Sequence, residues 1–130
     1  MFSSFEDLNY FFDRIYSQKD NLLTHGSHLL FRNSTPGYKQ MQVTVPSRRK
    51  VRCYVHQVVA LKKFNMLSFQ DGMETSHLCH IKNCVNPAHI AIEPRHINNN
   101  RIHCSRQRND VGNASYCVGH GAYPPCVSQD

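Results

Sequence analysis

The placement of cysteine and histidine does most to restrict what this chain can fold into. Six cysteines and nine histidines occur in 130 residues, and every cysteine but Cys53 lies after residue 75. Cys79-x4-Cys84-x4-His89 puts three soft or borderline ligands in one short stretch. A structural zinc takes four such ligands in a tetrahedron. Cys53, the nearest unassigned cysteine upstream, is expected to be the fourth. Cys104-x12-Cys117-x2-His120-x5-Cys126 is a second Cys3His set. Together the two sets use every cysteine. A disulfide framework would also use them, but would leave His89 and His120 unexplained. Glu6, Asp7 and Asp13 fall where a secretory signal needs basic and apolar residues. The chain is therefore expected to be intracellular and not secreted, with reduced thiols and two structural Zn2+.

The length suggests one domain over residues 1–130. Residues 3–19 read as an amphipathic helix, with Phe5, Leu8, Phe12, Ile15 and Tyr16 at helical spacing behind a Ser3-x-x-Glu6 capping box. Residues 21–37 read as a connector closing at Thr35-Pro36-Gly37, with His25 and His28 on its surface. Residues 38–55 read as a β-hairpin turning at Pro46–Lys50, with Val43, Val45, Val51, Cys53 and Val55 on its apolar face. Residues 54–67 read as a second helix. Residues 75–126 are loop-rich, and metal must knit what so small a core cannot. Pro94 suits the first position of a further helix over 94–103. The fold class expected is α+β.

Charge points to a polyanion. The formal net charge is +6, and residues 21–70 hold eight Lys/Arg and no acid. An excess of this kind favours nucleic acid as a partner. Mean hydropathy is −0.52, and no apolar run approaches the roughly 20 residues of a membrane span. A two-stranded ribbon fits the DNA major groove. Gln40, Gln42 and Arg52 are candidate base readers, and Lys39, Arg48, Arg49 and Lys50 candidate phosphate contacts.

The stretch Ser76-His77-Leu78-Cys79-His80…Cys84-x-Asn86-Pro87-x-His89…Asn98 resembles the His-Cys box of the His-Me finger (ββα-metal) nucleases. Within them it is most similar to the two-zinc, intron-encoded homing endonucleases. The spacing from the first histidine through Cys, Cys and His to Asn agrees throughout the box, as does the interval from Asn98 to Cys104. The resemblance implies a small zinc-stabilised ββα-metal fold and a metal-dependent endonuclease acting on double-stranded DNA. It makes His77 the general base and Asn98 the protein ligand of one catalytic Mg2+, with both zincs structural. It also implies an arginine near the scissile phosphate, for which Arg48, Arg49 and Arg52 are candidates. The C-terminal dimerisation arm of the two-zinc enzymes is missing, so a homodimer would need other contacts. Action on eukaryotic chromosomes would place the protein in the nucleus. The rival reading is a zinc-knit DNA-binding or regulatory protein without cleavage activity. The pair His77 and Asn98, which a binding module does not need, favours the enzyme.

Overall fold

The computed structural model describes residues 1–32, 37–111, 117 and 119–127, with backbone alone for 106–111. The elements are α1 (Phe5–Ser17), β1 (Leu22–His25), β2 (His28–Phe31), β3 (Gln40–Thr44), β4 (Lys50–Tyr54), α2 (Val55–Phe64), β5 (Met73–His77), β6 (Ile90–Pro94) and α3 (Arg95–Val111). Short 3-10 turns cover Lys19–Asn21 and Pro87–His89. The strands pair as three antiparallel hairpins, β1-β2, β3-β4 and β5-β6. The last hairpin followed by α3 is the ββα unit of a His-Me finger.

Helix α1 starts one residue later than the capping box implies. Ser4, not Ser3, is the N-cap, and its hydroxyl accepts the Asp7 N–H at 3.2 Å. The buried face also turns. Leu8, Phe11 and Ile15 are fully enclosed, whereas Phe5 is 43% exposed. These three, at i, i+3 and i+7, form the centre of the stripe, and Phe5 sits off it. Phe2 packs edge-on to Phe11, with ring centroids 5.8 Å apart.

Helix α2 is the centre of the core. Val55, Val58, Val59, Ala60 and Leu61 are buried, so the helix is apolar on more than one side. It packs on α1, β4, β5 and β6. Asn65 ends it in the left-handed region at φ 57°. The β3-β4 hairpin meets expectation. Its register pairs Val43 with Val51 and Met41 with Cys53, and Val43, Val45, Val51 and Cys53 are buried.

The connector read over residues 21–37 is instead a hairpin. β1 and β2 pair from Leu22↔Phe31 to His25↔His28. The outer edge of β2 then docks on the later metal loop. Phe31 N–H donates to Asn83 O (2.8 Å), and Val85 N–H to Leu29 O (2.7 Å). Thr35 and Pro36 of the turn signal lie outside the described residues. No helix among the described residues is long and apolar enough to cross a membrane.

Asp7 ties α1 to the β3-β4 turn. It accepts the Ser47 hydroxyl at 2.6 Å and the Ser47 N–H at 3.1 Å. These donors, the hydroxyl first, hold its carboxyl below the usual range. A depressed carboxyl contributes stability above its unfolded pKa, and that stability is lost as the pH falls through the folded value. Asp7→Ala is therefore expected to melt lower at neutral pH. The gap to wild type should close below about pH 4. Phe11→Ala should cost about 3–5 kcal/mol in denaturant unfolding. Phe5→Ala should cost about 0.5 kcal/mol or less, and equal losses would contradict the turned stripe.

Candidate metal centres and active site

Two groups of four ligand atoms each converge to within 4.8 Å of one another. The first is His28, Cys79, Cys84 and His89, all buried. Cys84 Sγ lies 3.6 Å from His89 Nδ1 and 3.9 Å from His28 Nδ1. A tetrahedron with ordinary Zn–N and Zn–S bonds has edges of about 3.3–3.8 Å, so the donor set fits zinc. The thiol of Cys79 donates to Cys84, which raises Cys79 and lowers Cys84.

Cys53 is in neither group, which corrects the expected ligand set. It sits mid-strand on the apolar face of β4, 5% exposed within the hydrophobic core. Burial pushes its thiol pKa up. The alternation that placed it on that face gives it a packing role. Its place is taken by His28, expected on the surface but 1% exposed. The cause is the docking of β2. Leu30 bridges Cys84, and two residues upstream His28 lands beside the Cys84 sulfur. His89 arrives from a 3-10 turn that Asn86 caps by accepting the Ala88 N–H at 3.0 Å.

The second group is Cys104, Cys117, His120 and Cys126, the expected set. His120 Nε2 lies 3.4 Å from Cys117 Sγ and 3.2 Å from Cys126 Sγ. Burial pushes the Cys117 thiol up, but N–H donors from Cys126 and Gly119 outweigh it and lower the pKa. None of the six cysteines is in a disulfide, so both groups carry the chemistry of zinc ligands.

His77 is the last residue of β5 and is 8% exposed. Its Nε2 is 2.9 Å from the Cys84 carbonyl oxygen. A carbonyl only accepts, so Nε2 carries the hydrogen and Nδ1 keeps its lone pair. The ring stacks on Tyr38, with centroids 5.7 Å apart and planes at 13°, and lies 4.9 Å from the His56 ring. Burial lowers the His77 pKa, opposed by the bond to Cys84. His77 is thus neutral at neutral pH. His56 is also pushed down, to about 3, by burial and then by His77.

Asn98, in the second turn of α3, lines the same cavity as His77, a space of about 330 Å³ that Tyr38, Lys82 and Arg101 also line. The neighbours Asn99 and Asn100 are exposed and do not line it. Asn98 Nδ2 donates to Glu74 Oε2 at 2.8 Å, and Arg95 Nε donates to Glu74 Oε1 at 2.8 Å. Those bonds, Asn98 first, hold the Glu74 carboxyl below its usual range.

Arg101 is enclosed and committed elsewhere. It forms an ion pair with Glu93, Nη2 to Oε2 at 2.9 Å, and also donates to Pro124 O at 2.6 Å. Glu74 and Glu93 face each other across β5-β6. Like charges directly opposite are unfavourable; here α3 supplies an arginine to each. None of Glu74, Glu93, Arg101, Tyr38 or Lys82 stood out in the sequence. The paired acids become visible only once the register of the hairpin is known.

Of the seven candidate DNA contacts, Gln40, Gln42, Arg48, Arg49, Lys50 and Arg52 are exposed on the β3-β4 hairpin. Arg52 Nη2 donates to Gln40 Oε1 at 3.1 Å. Lys39 is half-buried, with its ammonium over the Phe31 ring. Arg48, Arg49 and Arg52 do not line the cavity of His77 and Asn98; besides Arg101, Lys82 does, with its ammonium 5.5 Å over the Tyr38 ring.

The family model described as the zinc-binding loop region of homing endonuclease matches residues 27–129. That span opens one residue before His28 and takes in all eight ligands, His77 and Asn98. No curated protein and no solved structure matches the chain. Elemental analysis is expected to find two zinc ions per chain. His28→Ala should lose one and destabilise the fold by several kcal/mol, whereas Cys53→Ala should keep both. Loss of zinc from the Cys53 variant alone would reverse the assignment.

Proposed function

Because the chain belongs to the homing-endonuclease family whose zinc-binding loop region it matches, we propose that it is a metal-dependent DNA endonuclease. It would hydrolyse a phosphodiester with His77 as general base and Asn98 as the protein ligand of one Mg2+. The observation that carries this reading is the juxtaposition of His77 and Asn98 across one cavity, with Nδ1 of His77 free of its anchoring bond.

The chemistry follows from the groups present. With Nε2–H held by the Cys84 carbonyl, Nδ1 accepts a proton from water. The resulting hydroxide attacks the phosphorus in line with the leaving 3′ oxygen. The products are a 5′-phosphate and a 3′-hydroxyl. Asn98 offers a hard carboxamide oxygen, the donor type Mg2+ prefers. One protein ligand suffices where waters and DNA oxygens complete the shell. Bound there, Mg2+ would offset charge on the phosphate and the departing oxyanion. The two zinc centres are structural in this reading. They have four protein ligands each and no open position.

The exposed hairpin supplies DNA recognition. Gln40, Gln42 and Arg52 project from one face of the ribbon, and glutamine and arginine are the side chains that pair with adenine and guanine edges. Arg48, Arg49 and Lys50 at its turn suit phosphates.

Purified protein is expected to cut plasmid DNA with Mg2+ and to stop when Mg2+ is chelated. His77→Ala should lower turnover by about 10²–10⁴-fold, with zinc content and DNA affinity retained. Undiminished turnover in that variant would remove His77 as the base. A wild-type chain that binds DNA but never cuts it would leave the non-catalytic reading.

A further inference from the structure

We infer that Glu74 is a positioning residue that fixes the carboxamide of Asn98 with its oxygen turned toward the metal. The inference rests on the nuclease reading of Asn98, though the orientation itself can be measured without metal.

A carboxamide has a donor end and an acceptor end of almost the same shape. Nothing intrinsic to asparagine decides which end faces the reaction. Glu74 decides it here. Its Oε2 lies 2.8 Å from the Asn98 side chain, and an ionised carboxylate accepts only. The NH2 group must therefore face Glu74. Oδ1 is left as the end of Asn98 available to the cavity shared with His77. Glu74 is itself held. Its other oxygen takes the Arg95 Nε–H at 2.8 Å, and its strand pairs with β6 through Thr75↔Ile92 and Glu74↔Glu93. Arg95 and Asn98 are both in the first turns of α3, so one carboxylate joins the strand to the helix at the functional residue. Outer partners of this kind set ligand orientation, and their loss typically weakens metal binding by about 10–100-fold.

Arg95 makes the isosteric substitution informative. In Glu74→Gln the new amide cannot turn its NH2 to Arg95, whose guanidinium has donors only, whereas Asn98 can present either end; the amide therefore turns its oxygen to Arg95. Its NH2 then faces Asn98 and recruits Oδ1, which inverts the carboxamide. Glu74→Ala merely frees Asn98 to sample both orientations. Glu74→Gln is therefore expected to be the more damaging of the two. A contribution from charge or direct metal coordination alone would make alanine at least as harmful.

The experiment compares wild type, Glu74→Gln and Glu74→Ala, each with zinc content and melting checked. Metal affinity is read from Mn2+ binding to the protein–duplex complex by electron paramagnetic resonance, and from the Mg2+ dependence of cleavage. Glu74→Gln should raise the half-saturating metal concentration about tenfold or more, and Glu74→Ala should raise it less. Saturating Mg2+ should restore most of the turnover. The Asn98 side-chain NH2 resonances of the metal-free protein should shift in both variants. Unchanged metal dependence in both variants, or an alanine effect equal to or larger than the glutamine effect, overturns the inference. If wild type does not cut DNA at all, the nuclease reading fails separately; the Asn98 resonances then still report the orientation, and resonances unmoved by Glu74→Gln overturn it.

Discussion

Cys84 joins the candidate metal centre to the cavity that His77 and Asn98 line. Its sulfur belongs to the buried Cys2His2 group. Its carbonyl oxygen fixes which nitrogen of His77 carries the proton. Its neighbours Asn83 and Val85 hold β2, which brings in His28. A short irregular segment such as 79–89 cannot bury enough apolar surface to order itself. Closure around four ligands supplies that order, and with it the direction of the carbonyl. The tautomer of the imidazole, on which any general-base chemistry would depend, is thus set through the same residue whose sulfur joins the candidate Cys2His2 group.

Helix α3 is positioned by a different kind of force. Ile97 is buried but Ile102 is 45% exposed, so the helix has little apolar stripe. Instead it is pinned by charge. Arg95 meets Glu74, Arg101 meets Glu93, and Cys104 joins the second metal group. A buried ion pair is stabilising only when its geometry and remaining donors are satisfied. Arg101 satisfies that condition with Glu93, Pro124 O and the Cys126 sulfur. Such pins are directional, unlike hydrophobic packing. They fix the rotation of the helix about its axis, and so the face on which Asn98 projects.

The basic hairpin and seven of the eight candidate zinc ligands could be read from local signals, whereas the ββα unit was implied only by the resemblance of the His-Cys box: residues 75–126 otherwise read as loop-rich, yet β6 forms within them and β5 at their edge. Alternation of valines gave the apolar face of the hairpin, which the register confirms by pairing Val43 with Val51. Spacing gave Cys79, Cys84 and His89. The eighth ligand could not be read that way. His28 reaches the site through a strand pairing across more than fifty residues, Leu30 with Cys84, which no local pattern records. Cys53 misled because a cysteine on an apolar strand face suits a core and a ligand set equally well. Glu74 was hidden for a similar reason. Its importance comes from the side chain opposite it and from a helix twenty residues on, and in the sequence it is an unremarked acid between Met73 and Thr75.

The exchange of a histidine for a cysteine at the first centre has an electrostatic logic. Two thiolates and two neutral imidazoles balance a divalent zinc, whereas three thiolates and one imidazole leave one negative charge. The first group is buried at every ligand, and the second is half-exposed at three of its four. An uncompensated charge is costly in the interior and tolerable near water or beside a cation. The second centre has both. Three of its ligands are partly open, and the Arg101 guanidinium donates to the Cys126 sulfur. The neutral set therefore falls where burial is deepest and beside His77. A negative charge there would raise the pKa of the imidazole and favour its protonated form, and a protonated imidazole cannot act as a base.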